Sequence, residues 1–525
     1  MSQNTLGSSQ GPTAAAPVSG AASATSGPAT VPGTADGAGA AASGTTTASV
    51  AAVDLGATSG RVILGRLEDG RLSLRQVARF PNHIVEVNEG GTPALHWDLL
   101  ELFRCVSEGL REAVAAEPGL ASIGIDSWAV DYGLLTGGAV IGSPYNYRDA
   151  RTAAGVAAVH AKVPADALYR ANGLQHLDFN TLFQLQADRI AGRLPLAQRA
   201  LLIPDLLAYW LTGAERTELT NASTTGLLDP RTRAWAEELF AALDLPRELF
   251  APLVAPGERV GSLLPSVAAK LGAPAELGVV AVGSHDTASA IVAVPLKNRG
   301  DVYISSGTWS LVGQELDAPV VTEESAAANF TNEGGVDSRV RFLKNVSGLW
   351  LLTESMREWA RADAAAQRRS EDLQELLATA AEVTGPVPVF DAEDARFTPP
   401  GDMPGRITAW CEEHGVTPPA TRAEFVRSIM ASLVEAYAST IETAQRLSGV
   451  PASAVHVVGG GSQNTLLCQL TADRTGLPVI AGPVEATAIG NVLVQLRAAG
   501  AIEGDLEALR EIVMASFETV TYLPR

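Results

Sequence analysis

The chain has 525 residues, 46% of them hydrophobic, with a formal net charge of −20 and a pI near 4.8. That length supports two or three domains with sizeable cores, and the charge argues against nucleic acid or an anionic membrane surface as partner. Only Lys162, Lys270, Lys297 and Lys344 are lysines and none precedes Ser or Thr, which excludes a Walker-type phosphate loop.

Cys105, Cys411 and Cys468 lie far apart with no C-x-x-C pair, as suits a reducing cytoplasm. The seven histidines show no zinc-ligand spacing, and no apolar run is long enough to span a membrane. Residues 1–48 are nearly all Ala, Gly, Ser, Thr and Pro. With no basic and no apolar region, this segment is expected to be a disordered tail rather than a secretory signal.

From Val50 to Leu64 a β-branched strand enters a small-residue turn, Val53-Asp-Leu-Gly-Ala-Thr-Ser-Gly-Arg61, and leaves as a second strand. About half the chain later, Val302-Tyr-Ile-Ser-Ser-Gly-Thr-Trp-Ser-Leu-Val312 repeats the pattern, which suggests a duplicated domain. Two such hairpin tips can face each other across a cleft and hold a nucleotide's phosphates.

Helical periodicity is predicted over Trp97–Ala115, with Leu99, Leu100, Phe103, Val106, Leu110 and Val114 on one face, and again over Arg422–Leu447 and Gln463–Thr475. Buried strands are predicted at Ser122–Ile125, Leu277–Val282, Val302–Ile304 and Ala454–Val458. The alternation implies an α/β fold of mixed sheets covered by helices. Pro295 and Gly300 place a boundary near Val294–Gly300, giving domains 49–295 and 296–525 with a ligand cleft between them.

Five segments could carry chemistry. In Gly283-Ser-His-Asp-Thr-Ala-Ser289, Asp286 follows a strand end, flanked by His285 and Thr287. It either faces a ligand or caps the next helix. Asp126 ends another strand just before Trp128, a carboxylate and an indole that suit a sugar or form a buried turn. In Val457-Val-Gly-Gly-Gly-Ser-Gln-Asn464 the glycines lie between strand and helix, where a phosphate or base can reach the backbone. Asn329–Gly335 and Leu343–Leu352 are rich in amides and glycines, and Asn345 binds a ligand or caps a helix.

Together with Tyr147-Arg-Asp-Ala-Arg-Thr152, Phe179-Asn-Thr-Leu182 and Ala481–Asn491, these words resemble the FGGY family of carbohydrate kinases over nearly all of residues 50–525. The resemblance implies an actin-like, ribonuclease H-like, hexokinase-type fold with two duplicated domains. It also implies ATP-dependent phosphorylation of the C1 hydroxyl of a ketose, L-rhamnulose first, by a monomer or homodimer. Xylulose, fuculose, glycerol or a signalling ketose are the alternatives, and a non-catalytic sugar sensor is the rival from another class. Asp286 would be the proton acceptor. Asp126, Ala129, His285, Thr287 and Asn345 would line the sugar. Ala57, Thr58, Ser59, Gly60, Arg61, Thr308, Thr353 and Gly460 would meet ATP, and Asp54 would orient Mg²⁺. Ala129 stands where a relative can have glycine, and Thr353 where a glutamine can contact the nucleotide.

Overall fold

The computed structural model describes residues 47–525. The expectation for the small-residue tail therefore lies outside the described residues, apart from Ala48, which already pairs with Leu67.

The first half is built on a six-stranded sheet. Its strands are β1 (Ala48–Leu55), β2 (Ser59–Glu68), β3 (Arg71–Pro81), β4 (Ile123–Ser127), β5 (Arg259–Ser262) and β6 (Gly278–Val280), in the order β5-β6-β4-β1-β2-β3. The hairpin β1–β2 and the addition of β3 are antiparallel, whereas β4 lies parallel to β1. Strand β1 is buried on both faces, so it reads as a continuous apolar run rather than an alternation.

The second half repeats this plan in a seven-stranded sheet. Its strands are β7 (Val302–Ser306), β8 (Trp309–Leu316), β9 (Thr331–Gly334), β10 (Val340–Ser347), β11 (Val455–Val458), β12 (Val479–Ala481) and β13 (Val520–Tyr522). Again the opening hairpin, β7–β8, is antiparallel and a strand from far along the chain, β11, joins β7 in parallel. Both sequence hairpins are thus present, at equivalent places in two mixed sheets.

Helix α1 (Leu99–Ala116) begins at Asp98, whose carboxylate accepts from the N–H of Glu101. Its buried stripe is Leu99, Leu102, Val106, Leu110, Ala113 and Val114, while Leu100 is 76% exposed. This corrects the expected face: at 3.6 residues per turn Leu100 stands roughly 120° round the helix from Val106.

Three of the cores among the described residues follow from this layout. One lies under α1 on the first sheet, and one lies beneath the helices of the second sheet. The third joins Val50 and Ala52 of β1 to residues of α2 (Asp286–Val292), to Tyr303 and Leu311, and to Ile489 and Val492. At its centre Gly490 crosses α2, and a Cβ there would come 1.8 Å from the carbonyl oxygen of Ser289. Only glycine permits that approach.

Candidate active site

A cavity of about 320 Å³ is lined by residues of both halves, among them the tips of both hairpins and Ala129, Tyr147, Gln175, His285, Asp286 and Asn345. Each tip closes on itself. The N–H of Gly56 donates to the carbonyl of Ser59, and that of Gly307 to Trp309, both at 2.9 Å. Asn82 and Leu349 bind the carbonyls of Gly56 and Gly307 from behind. Among the described residues, the N–H groups of Ala57, Thr58 and Thr308 donate to no backbone carbonyl. They remain as donors for an anion, as phosphate-binding turns require.

Gly460 also lines the cavity, and among the described residues a Cβ added there would meet nothing within 4 Å. The glycine turn runs through a 3₁₀ turn, Gly460–Gln463, before the α-helix begins at Thr465 with Asn464 as its cap. The helix expected from Gln463 therefore starts two residues later, because the Asn464 side chain takes the N–H of Leu467.

Asp286 is the first residue of α2, and the N-cap is His285. The alternative in which Asp286 merely caps the helix is therefore not the one the chain adopts. Its carboxylate is 31% exposed, accepts from Thr287 Oγ1 at 3.1 Å and lies 3.4 Å from His285 Nε2. The loop before it is fixed by Glu218, a buried carboxylate whose Oε2 accepts from both the N–H and the hydroxyl of Ser284. The same side chain takes Thr220 and Asn221, and burial raises its pKa. Nothing in the local sequence distinguished Glu218 beyond its place before a Thr/Asn cluster.

The remaining candidates divide. Thr58, Ser59, Arg61, Ala57, Ala129, His285, Thr287, Thr308, Asn345 and Gly460 all line the cavity. Gly60 does not: a Cβ there would come 2.3 Å from the Phe80 ring, so this glycine serves the packing of β2 on β3. Thr353 is exposed on the helix Trp350–Ala365 and is not among the residues lining the cavity. Asp126 is fully buried behind the wall, where it accepts from Asn491 Nδ2 at 2.5 Å. The carboxylate that meets Trp128 is Asp131, which takes both the Trp97 and Trp128 indole N–H groups and the N–H of Tyr147. That hub fixes these aromatic side chains without itself lining the cavity. Asn345 lies in β10 and caps no helix.

Asp54 and Asp126 are register partners on β1 and β4. Burial lifts Asp54 to about 6, against the charge and hydrogen bond of Arg61, with Asp286 adding to the rise. Burial and the neighbouring Asp54 raise Asp126 well above the ordinary carboxylate range. Arg61 spans Asp54 and Glu485, joining the first hairpin to α6 (Ala486–Ala498) of the other half through contacts of 3.0 and 2.5 Å. (Among the helices between α2 and α6, those labelled are α3 at Trp350–Ala365, α4 at Arg422–Ser448 and α5 at Thr465–Thr475.)

Val130, next to Ala129 in the wall, has a φ of 66°. For a β-branched residue this is strained. Its carbonyl is held by the Thr181 hydroxyl at 2.7 Å.

Residues 49–293 match the model of the FGGY family of carbohydrate kinases, N-terminal domain, and residues 302–499 that of the C-terminal domain. The chain belongs to the FGGY family of carbohydrate kinases and is an ATP-using sugar kinase. It is 41% identical over 477 residues to a rhamnulokinase of Bacteroides thetaiotaomicron, covering 90% of this chain and 95% of that one. To a rhamnulokinase of Pectobacterium carotovorum it is 42% identical over 484 residues, 91% of this chain and 93% of the relative. Among solved structures, gluconate kinase and a ligand-bound xylulose kinase, both from Lactobacillus acidophilus, share the fold with TM-scores of 0.71. Their sequence identities are 15% and 17%, and each match covers 91% of this chain and 94% of the other. Among the described residues no helix is long and apolar enough to cross a membrane.

Proposed function

We infer that this protein phosphorylates the C1 hydroxyl of L-rhamnulose with ATP, giving L-rhamnulose 1-phosphate in L-rhamnose breakdown. The reading is carried by Asp286, a partly exposed carboxylate that lines one cavity together with both hairpin tips. The sugar's identity is supported by relatives named rhamnulokinase along nine-tenths of the chain.

Asp286 accepts the hydroxyl proton as the C1 oxygen attacks the γ-phosphorus and the bond to ADP breaks. His285, Thr287, Asn345 and Ala129 position the ketose. Ala57, Thr58, Ser59 and Arg61 on one side, with Thr308 and Gly460 on the other, hold the nucleotide, and the free N–H groups of the tips take its phosphate oxygens. Closing the cleft excludes water, which would otherwise accept the phosphoryl group.

Asp54, with Asp126 behind it, would hold Mg²⁺. The fit is supported by the buried Oδ1 of Asp126, which has no hydrogen-bond partner among the described residues, and by the raised pKa of both carboxyls, which a nearby cation would relieve. Mg²⁺ needs only one or two carboxylates beside phosphates and water, and when bound it neutralises charge on the transferring group. We assign residues 49–295 to the sugar-binding half and 296–525 to the nucleotide-binding half. The enzyme acts in the cytoplasm, where ATP is supplied and where the free thiols of Cys105, Cys411 and Cys468 persist.

The deciding experiment is ADP release with a panel of L-rhamnulose, xylulose, fuculose and glycerol. L-rhamnulose should show the highest kcat/KM; a better competitor would replace it as the substrate.

A further inference from the structure

We propose that Glu333 is a further sugar-binding residue, its carboxylate accepting a secondary hydroxyl of the ketose beside His285 and Asn345. The proposal rests on the sugar-kinase reading and gives a task to the Asn329–Gly335 motif.

Strand β9 alternates. Asn332 turns to one face, where its amide donates to the carbonyls of Gly173 and Val320 at 3.0 Å. Thr331 and Glu333 line the cavity from the other face. Opposite Glu333 in the antiparallel register stands Arg341, which is fully buried. Its Nη2 lies 3.1 Å from Glu333 Oε2 and 3.0 Å from His285 Nδ1, and its Nε donates to the carbonyl of Gly334 at 2.9 Å. Glu333 Oε2 is in turn 3.3 Å from His285 Nδ1.

A buried ion pair is not needed for stability alone, since apolar residues of similar volume serve as well. This one borders the cavity and touches a histidine placed against the sugar. Burial works to raise the pKa of Glu333, but Arg341, His285 and Asn345 outweigh it and hold the carboxyl below its ordinary value. An ionised carboxylate accepts hydrogen bonds and donates none, and charge-assisted bonds to hydroxyls are the stronger class. Arg341 thus keeps an anionic acceptor fixed in the wall of a cavity whose ligand is rich in hydroxyl donors.

The test measures kcat/KM for the ketose and for its 3-, 4- and 5-deoxy analogues, with the wild type and Glu333→Gln. Glu333→Gln should lower kcat/KM for the intact ketose about 10- to 100-fold, the loss of a hydrogen bond to a charged group. For the one analogue lacking the recognised hydroxyl, the same substitution should cost less than about threefold, because the contact is already gone. The KM for ATP should stay within about twofold. An equal loss on the ketose and all three analogues, or no loss on any, would overturn the proposal and leave Glu333 as the counter-ion of Arg341. Because Glu333→Gln leaves a buried cation unpaired, Glu333→Gln with Arg341→Met, which removes both charges, is measured alongside and must show the same analogue pattern. The ketose used is whichever the sugar panel selects, so a failure of the rhamnulose reading changes the analogues and leaves the test standing.

Discussion

Gln175 and Asn345 hold each other by three hydrogen bonds across the cavity, although 170 residues separate them. Gln175 Oε1 accepts from the backbone N–H and from the side-chain amide of Asn345 at 2.8 and 3.0 Å, and Gln175 Nε2 donates to the Asn345 carbonyl at 3.2 Å. Next to them His176 and Asn329 form a similar clasp, with the backbone N–H and carbonyl of His176 meeting the Asn329 amide. A side chain from the first half therefore fixes the orientation of Asn345, a residue of the second.

Gln175→Ala removes all three bonds and frees the Asn345 amide to rotate. At roughly 0.5–1.5 kcal/mol for each net bond, the sugar KM should rise about 10-fold or more, with the ATP KM unchanged. Steady-state kinetics with each substrate varied in turn check this; a parallel rise in both would mean that the clasp supports the fold and not the sugar.

Asp286→Asn keeps the side chain's size but cannot take a proton at neutral pH. Loss of the general base should lower kcat by about 10²–10⁴ and leave the sugar KM within a few-fold, since the amide oxygen still accepts a hydrogen bond. The measurement is kcat, with circular dichroism as the folding control. A folded variant keeping more than a tenth of wild-type kcat would exclude Asp286 from the base role.

Gly460→Val adds a side chain where a Cβ meets no neighbour within 4 Å, so the fold should tolerate it. The added methyls enter the cavity where the nucleotide is proposed to bind, and the ATP KM should rise by about 10-fold or more while the sugar KM holds. Equal affinities for ATP before and after would remove this turn from the nucleotide site.

Asp54 gives a pH signature. Its pKa, raised from 3.8 to about 6 in the folded chain, means that folding favours the protonated form. Its contribution to stability is fully present below pH 3.8 and is lost as pH rises through about 6. At pH 7.5, without Mg²⁺ or nucleotide, Asp54→Asn should therefore melt higher than the wild type by about 2–4 °C, the shift that ~1 kcal/mol produces in a domain of roughly 200 residues. The gain should vanish below pH 4, where both proteins carry a neutral side chain. Activity at pH 7.5 should still fall in the variant, because the proposed Mg²⁺ contact is gone. Melting curves at the two pH values decide it: a variant less stable at both would mean that the bond to Arg61 outweighs the burial of charge.

The hairpins were legible because each is local: a β-branched strand, a small-residue tip and a return strand lie within about a dozen residues. The placement of Asp286 after a strand end was legible for the same reason, as were Gly460 and the tip residues Ala57, Thr58 and Thr308. What escaped was pairing at long range. Asp126 was read as a sugar ligand from its neighbour Trp128, but its actual partner, Asn491, is 365 residues away. Gln175 carries no local signal, and its meaning depends wholly on Asn345. Gly60 sits within a phosphate-like word, yet the Phe80 ring of the adjoining strand explains it. Leu100 shows the limit of counting apolar residues, since a helix face is decided by angle.

The crossing of Gly490 over Ser289 has a mechanical consequence. The helix that begins with Asp286 belongs to the first half, and the helix that contains Gly490 belongs to the second. With no side chain between them at that point, the two backbones bear directly on each other, like an axle in its seat. Packed helices shift past each other only by small sliding movements, so the part of the cavity nearest this contact is the part least displaced by any motion between the halves. Asp286, one helical turn from Ser289 on the same helix, lies there.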